Sequence, residues 1–472
     1  MRLSTAEIST ILHSPSNGGP EVALGYSIDS RTLHAGDLFF ALRGPRHDGH
    51  EFVAAAFANG AVAAVVEHGF QPPAPRFAPS LIFVPDTTRA LQQVAAAARQ
   101  IWAGRVVGIT GSTGKTTTKE MTAAALSAKF CVLKSEGNLN NQYGVPLTLL
   151  RLEPRHEVAV LELAMSAAGE IARLAEITRP EVGVVTNVAP AHLEFFDSVD
   201  AIARAKRELI EHLQLRATAV LNQDDERVRA FAQGFDGRVV TFGLTEGASF
   251  RGLNVRPPAP AGNGGFTTEF EVQGGRYCGT FTIPAPGIHN VENALAAIAV
   301  ASVFEVPRED LRSALASFRT LCHRAEIRRL PGGAILIDDG YNSNPLAMRR
   351  MLETLGSWPG AARRIVLAGE MLELGPSSPE LHRGVGRECV RAGVDWLIAV
   401  GGDARFFIEG AIAAGLPPQR ARFFEESAQA GQFCEAMLRT GDVVLVKGSR
   451  RVGLEKAVEA ITQEQRKVTS DR

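Results

Sequence analysis

The chain has 472 residues, too many for one ordinary hydrophobic core, so roughly two to four domains are expected. Hydrophobic residues make up 45% and charged residues 21%, which is a globular composition, and the net charge of −1 gives no broad electrostatic case for nucleic acid or an acidic membrane surface as partner. The five cysteines (Cys131, Cys278, Cys322, Cys389, Cys434) are far apart with no C-x-x-C, which fits neither a zinc site nor a disulfide framework and suits a reducing cytoplasm.

The start, "MRLSTAEIST", lacks the basic-then-apolar pattern of a secretory signal. Residues 1 to about 104 carry "SIDSRTLHAGDLFFALRG" and "HEFVAAAFANGAVAAVVEH", short strands alternating with one or two Ala-rich helices. The Pro-rich run "FQPPAPRFAPS" reads as a loop between them. This is a small α/β unit with no obvious catalytic cluster.

Next comes "VVGITGSTGKTTTKEM". A Walker A loop reads G-x-x-x-x-G-K-[ST], and the first glycine should stand at 109, where the chain has Ile109. Glycines stand at 108 and 111 instead. Val106, Val107 and Ile109 form the apolar run of a buried parallel strand. Gly111, Ser112, Thr113 and Gly114 are small enough for a tight turn whose N–H groups face an anion. From Thr116 to Leu126 the pattern predicts a helix, so a phosphate at its start meets free N–H groups and the positive dipole end. Lys115 offers a charge to the terminal phosphates, and Thr116 a hydroxyl to a magnesium ion.

Further apolar runs follow: "VAVLELA", "VGVVTNV", "TAVLN" and "VVTFG". Helical patterns separate several of them, which predicts a parallel sheet wrapped by helices. Arg251 to Thr282 alternates polar and apolar residues around "PPAPAGNGG" and reads as an antiparallel insertion. "IHNVENALAAIAVASVF" returns to helix, and its apolar part, Ala294 to Phe304, is too short to span a bilayer. From about 322 the runs "AILIDD", "RIVLAGEM", "WLIAVGG" and "DVVLVKGS" predict a second doubly wound unit with no phosphate loop of its own. The last ten residues read as a helix end fraying into a tail.

Ligands of open α/β sheets collect at the carboxyl ends of strands. There stand Glu162, Asn187, His192, the pair Asp338 and Asp339, and Lys447, Ser449 and Arg450. The last three sit where a helix begins, a suitable place for a carboxylate. Alone, Glu162 could be a strand residue facing solvent and His192 an ordinary loop histidine. Arg324, in "LCHRAEIRR" at the join of the second and third units, suits either a clamp across a cleft or a linker charge. "AIARAKRELIEHL" is an amphipathic helix with Ile202, Ala205, Leu209 and Leu213 on one face. By pattern alone Lys206, beside that face, is a solvated helix lysine.

"TGSTGKTTTKE" resembles the phosphate loop of the Mur ligases, the cytoplasmic ATP-dependent amide ligases of peptidoglycan synthesis, in which the first glycine is commonly displaced in this way. The resemblance spans nearly the whole chain, through "DSRTLHAGDLFFALRGPRHDGHEF", "GNLNNQYGVPLTLLRL", "AHLEFF", "AKRELI", "GIHNVENALAA", "HRAEI", "DDGYNSNP", "GEMLELG" and "VKGSR". It implies three domains: a UDP-sugar-binding α/β domain (residues 1–104), a central P-loop parallel-sheet ATPase domain (105–321), and a C-terminal Rossmann-like doubly wound domain for the amino-acid or dipeptide substrate (322–472). It implies a monomer that takes ATP, two magnesium ions, a UDP-muramoyl tripeptide and D-alanyl-D-alanine.

Roles follow from the same resemblance. Gly111 to Thr117 would cradle the phosphates, with Lys115 on the β- and γ-phosphates. Thr116 and Glu162 would hold one magnesium, and His192 and Lys206, the latter carried as a carbamate, the second. Asn290 and Asn293 would lie near the base, and Arg324 and Asp339 would reach ATP from the third domain. Ser30 and Arg31 would hold the uridine end, and Asn138, Asn140 and Asn141 the muramoyl part or its peptide. Tyr341, Asn342, Asn344, Lys447, Ser449 and Arg450 would serve the dipeptide. Competing readings are a sister Mur ligase, a folylpolyglutamate synthase, which should lack the "DSR…GDLFFAL" block, and a nucleotide switch that does no ligation. The Asp-Asn-Pro-Arg run of the diamino-acid-adding sister is absent.

Overall fold

The computed structural model describes residues 1–14, 19–44, 47–72, 74–190, 193–261 and 265–470, with backbone alone for 463–470. His192, and the "GNG" centre of the insertion loop, lie outside the described residues.

Strands β1 (Gly25–Ser27), β2 (Asp37–Phe40), β3 (Ala63–Glu67) and β4 (Leu81–Val84) form a four-stranded parallel sheet. The Pro-rich run before β4 is not an open loop: Pro75–Ser80 winds as a short 3-10 helix, whose tight turns suit the fixed φ of proline. Helix α1 (Thr87–Trp102) follows, started by Asp86, whose side chain accepts from Arg89 N, and stopped by the left-handed Ala103.

One face of α1, with Leu91, Val94, Ala95 and Ala98, is buried in a cluster that runs from Ile8, Leu38 and Phe40 of this unit to Val106, Leu161 and Leu209 of the next. Polar ties reinforce it. Arg99 donates to the Thr178 carbonyl (2.8 Å) and pairs with Glu181 (2.9 Å), and Trp102 Nε1 donates to the His156 carbonyl (2.8 Å). A shared apolar core and buried charge-assisted bonds join the first sheet firmly to the second.

The central sheet is built on β5 (Arg105–Thr110), which pairs in parallel with β7 (Val158–Glu162) on one side and β8 (Val182–Val185) on the other. Helix α2 (Lys115–Ser127) follows β5, and β6 (Val132–Lys134) flanks β7. Helix α3 (Gly144–Leu150) precedes β7, and α4 (Glu170–Thr178) and α5 (Val199–Glu211) flank β8 in sequence. Beyond β8 the sheet continues in parallel through β9 (Thr218–Asn222), β10 (Arg238–Gly243) and β11 (Phe250–Leu253). It then turns antiparallel through β12 (Phe266–Gln273) and β13 (Gly279–Ile283). Helix α6 (Ile288–Val303) begins with polar residues and is apolar on all sides from Ala294 to Ala301, where, like Val291, every residue is fully inaccessible. Helix α7 (Arg308–Ala316) closes the unit.

The third sheet runs β14 (Glu326–Arg329), β15 (Ile335–Asp339), β19 (Val443–Lys447), β16 (Arg364–Gly369), β17 (Trp396–Val400), β18 (Ala421–Phe424). It is parallel except for the antiparallel edge β14. Helices α8 (Pro345–Gly356), α9 (Ser378–Arg391), α10 (Arg405–Ala413), α11 (Ser427–Met437) and α12 (Glu455–Ser470) cover its two faces, each with its own apolar cluster. The expected frayed tail is instead helix as far as Ser470.

Several contacts among the described residues join the third unit to the second. Phe266 of β12 enters the third unit's core against Trp358 (5.4 Å between centroids), Arg350 pairs with Glu292 (3.1 Å), and Glu194 N donates to the Glu373 carbonyl (3.2 Å). In the connecting turn His323 and Ala325, on either side of Arg324, hold positive φ (59° and 55°).

Candidate active site

The carboxyl ends of the second and third sheets face each other across a cleft of about 880 Å³. It is lined by Ser112 to Thr117, Asn138, Asn140, Glu162, Asn290, Asn293, Arg324, Asp339, Tyr341, Asn342, Asn344 and Lys447.

The phosphate loop explains its own missing glycine. Ile109 is a fully buried strand residue with no need of special backbone freedom. The demand falls at Gly111 (φ 152°), where a Cβ would lie 1.8 Å from Thr186 Oγ1, and at Gly114 (φ 78°), where one would lie 2.4 Å from Asn293 Oδ1. The loop is braced from β8: Thr113 N donates to Asn187 Oδ1 (2.9 Å), Asn187 Nδ2 to Thr113 Oγ1 (2.9 Å), and Thr186 Oγ1 to the Thr113 carbonyl (2.6 Å). Asn187 thus has a role that its strand-end position alone did not assign. Helix α2 begins at Lys115, one residue earlier than its sequence pattern suggests.

Lys115 Nζ donates to the Gly111 carbonyl (2.9 Å). Burial lowers its pKa; Glu162 works against that and the Arg324 charge adds to it. An anionic phosphate there would favour the charged form. Glu162 is 2% exposed: its Oε2 accepts from Thr116 Oγ1 (2.8 Å) and its Oε1 from Asn140 Nδ2 (3.0 Å). Asn293 Oδ1 accepts from Thr118 Oγ1 (3.1 Å), and Asn293 Nδ2 donates to Asn290 Oδ1 (3.2 Å), so α6 is hydrogen-bonded to α2.

Lys206 is not the solvated residue its pattern suggests. It is 3% exposed on α5, outside the cleft lining, and burial together with the Lys115 charge drives its pKa well down. Among the described residues no carboxylate pairs with it.

Other expected residues lie outside the cleft lining. Asn141 Oδ1 accepts from Tyr143 N and Gly144 N, a turn that leads into α3. Ser449 is buried, its Oγ accepting from Leu372 N (3.0 Å). Arg450 is exposed, its guanidinium carbon 5.5 Å from the Tyr341 ring centroid, while that of Arg324 lies 4.1 Å away. Ser30 is buried and its carbonyl accepts from Asn59 Nδ2; Arg31 is exposed and pairs with Asp29 (2.6 Å).

Lys447 lines the cleft, but its charge is paired within the third unit. The parallel register sets Lys447 opposite Asp339, and Nζ donates to Asp339 Oδ2 (2.5 Å) and to the Asn342 carbonyl (3.0 Å). The lysine is 2% exposed, so its charge is already met inside the protein.

Three cleft residues escaped the sequence reading. His289 Nε2 accepts from Asn290 Nδ2 (3.1 Å), its buried Nδ1 has no hydrogen-bond partner among the described residues, and burial depresses its pKa to about 4. Glu292, paired with Arg350, has its pKa raised to about 7 by burial. The "HNVEN" run carried a signal for His289 and Glu292; nothing in the sequence marked Arg350.

The Glu292 shift has a pH consequence. Its folded pKa lies above the unfolded value of 4.5, so its contribution is full below about pH 4.5 and lost as pH rises through about 7. Glu292→Gln is expected to stabilise the protein at pH 8 by on the order of 1–3 kcal/mol and not at pH 4. Urea unfolding at the two pH values measures this, and an equal effect at both would contradict it.

Three family models match: Mur ligase family, catalytic domain, over residues 24–99; Mur ligase middle domain over 109–301; and Mur ligase, glutamate ligase domain, over 323–450. A Synechocystis protein named UDP-N-acetylmuramoyl-tripeptide–D-alanyl-D-alanine ligase is 37% identical over 92% of this chain and 91% of its own. The Bacillus subtilis protein of that name is 33% identical over 93% of each. Among solved structures, MurF from Acinetobacter baumannii superposes with a TM-score of 0.87 at 30% identity, over 98% of this chain and 99% of that one. MurF from Thermotoga maritima in complex with ADP gives 0.82 at 29% identity, over 94% and 99%. With full-length relatives above 30% identity, and a phosphate loop opening onto a cleft between two doubly wound units, the chain belongs to the Mur ligase family.

Proposed function

We propose that the chain is an ATP-dependent amide ligase that joins D-alanyl-D-alanine to a UDP-N-acetylmuramoyl tripeptide in the synthesis of the peptidoglycan precursor. The observation that carries this reading is the meeting, at one cleft, of the Lys115 loop, the Thr116–Glu162–Asn140 chain and the third unit's strand ends. Residues 1–104 would hold the UDP-sugar through Ser30 and Arg31, 105–321 the ATP, and 322–472 the dipeptide. The enzyme would act in the cytoplasm as a monomer; among the described residues no helix is long and apolar enough to cross a membrane.

The terminal carboxylate of the tripeptide attacks the γ-phosphorus of ATP, the bond to the bridging oxygen breaks, and an acyl phosphate and ADP form. The dipeptide amine then attacks the acyl carbon; phosphate leaves with the bonding pair and the amine loses its proton. Two anions approach in the first step, so Lys115, Arg324 and the loop N–H groups act by neutralising charge that grows in the transition state. Asn140 and Thr116 hold the Glu162 carboxylate in place. The third unit, joined by a short strained link, covers the reacting centre and keeps water from the acyl phosphate.

Magnesium fits the donors present. Thr116 and Glu162 supply hard oxygen, and the burial that lowers the Lys206 pKa favours the neutral amine, the form that adds carbon dioxide to become a carbamate. Thr116 and Glu162 would hold one ion, and His192 with carbamylated Lys206 a second. Among the described residues no three His, Cys, Asp or Glu side chains form a metal cluster. Bound magnesium would supply charge stabilisation for the transferring phosphoryl group.

The direct test is ADP release. It should require both the UDP-muramoyl tripeptide and D-alanyl-D-alanine; release with glutamate and a folate instead would favour a folylpolyglutamate-type ligase.

Arg450, with its charge not buried, remains the candidate for the dipeptide carboxylate beside Tyr341, Asn342 and Asn344. Arg450→Ala is expected to raise the dipeptide KM about tenfold to a hundredfold and to change the ATP KM much less. Lys447→Ala, which strands Asp339, is expected to lower thermal stability instead. A dipeptide KM unmoved by Arg450→Ala would place the acceptor carboxylate elsewhere.

A further inference from the structure

Lys119 is the one lysine among the largest fully buried side chains, at 0% exposure, and nothing in the reaction as described uses it. It lies on α2 one turn beyond Thr116, away from the cleft. Its Nζ donates to the Ser135 carbonyl (2.6 Å) and pairs with Glu120 Oε1 (2.7 Å), whose other oxygen pairs with Lys134. A charge this deep costs several kcal/mol of desolvation unless it is well partnered, so its retention calls for a reason.

Ser135 supplies that reason. It directly follows β6 and is 1% exposed; its N–H donates to the Val160 carbonyl (3.1 Å) and its Oγ accepts from the backbone N–H of Glu162 (3.2 Å). The bonds close a ring. From α2, Thr116 reaches the Glu162 carboxylate; the Glu162 N–H reaches Ser135 Oγ; the Ser135 carbonyl reaches Lys119, back on α2. The segment after Ser135 carries Asn138 and Asn140 into the cleft, and Asn140 returns to the second oxygen of Glu162.

We infer that Lys119 is a positioning residue, which by fixing Ser135 against α2 sets both the Glu162 carboxylate and the Asn138–Asn140 segment. This rests on the reading that Glu162 holds the metal. A hydrophobic isostere would leave the Ser135 carbonyl without its cationic donor and free the segment to shift by fractions of an ångström, enough to loosen a metal ligand.

The test compares Lys119→Met, Lys119→Arg, Ser135→Ala and Glu162→Gln in the full chain. The readouts are ligation kinetics, circular dichroism, and manganese binding in the presence of ADP followed by electron paramagnetic resonance, which needs no turnover. Lys119→Met is expected to weaken manganese binding and lower kcat by about tenfold to a hundredfold, with the dipeptide KM unchanged and partial recovery in Lys119→Arg. Lost thermal stability with manganese affinity and kcat within twofold of the parent would make Lys119 purely structural and overturn the inference. Should Lys119→Met fail to fold, Ser135→Ala decides: weakened manganese binding supports the ring, and unchanged binding overturns it. Glu162→Gln separates the two ideas. If it keeps normal manganese affinity, the metal reading of Glu162 fails and the inference falls with it. If it loses affinity while Lys119→Met and Ser135→Ala do not, positioning alone fails.

Discussion

Lys115→Ala is expected to cut kcat/KM for ligation at least about a thousandfold while leaving the fold intact. The chemistry brings a carboxylate to a polyanion, and Lys115 is the loop's fixed charge. Its only hydrogen bond among the described residues is to the Gly111 carbonyl, four residues back, so it joins no two elements of the core. Its pKa is already pulled down by lost water, and replacing it by alanine removes a cation held at some cost. The melting temperature should therefore stay close to that of the parent. Phosphate release under saturating substrates, set beside a thermal melt, is the measurement. Near-normal turnover would mean that ATP binds elsewhere.

Contiguous features were legible in the sequence. The loop, its strand and its helix lie within twenty-odd residues, and each agrees with the others in periodicity and composition. The apolar runs of the third unit marked strands for the same reason, because strands buried on both faces leave no alternation to confuse them. What pairing decides was hidden. Lys447 looked like an anion site because it ends a strand, and only the parallel register sets it against Asp339. Asn141 looks in sequence like its neighbours Asn138 and Asn140, but its side-chain Oδ1 accepts from Tyr143 N and Gly144 N. Glu292 and Arg350 stand far apart in the chain and meet only where two units touch.

Lys206 is the sharpest case. Pattern made it a surface residue and the family resemblance made it a carbamate; its burial beside another cation pushes its pKa well down and so favours the neutral amine, the form that adds to carbon dioxide. Addition would form a C–N bond, release one proton, and replace a buried cation by an anionic oxygen donor within the electrostatic reach of Lys115. Lys206→Ala is expected to lose activity by at least about a hundredfold, because it removes a ligand and the charge that ligand brings. Short carboxylates such as acetate or formate, supplied at high concentration, should restore part of the rate to Lys206→Ala and nothing to the parent. Labelled bicarbonate should give a carbamate carbon resonance in the parent that the variant lacks. If the variant keeps its rate, or if the parent shows no such resonance with magnesium and nucleotide present, Lys206 is an ordinary buried lysine and the second metal must find its oxygen elsewhere.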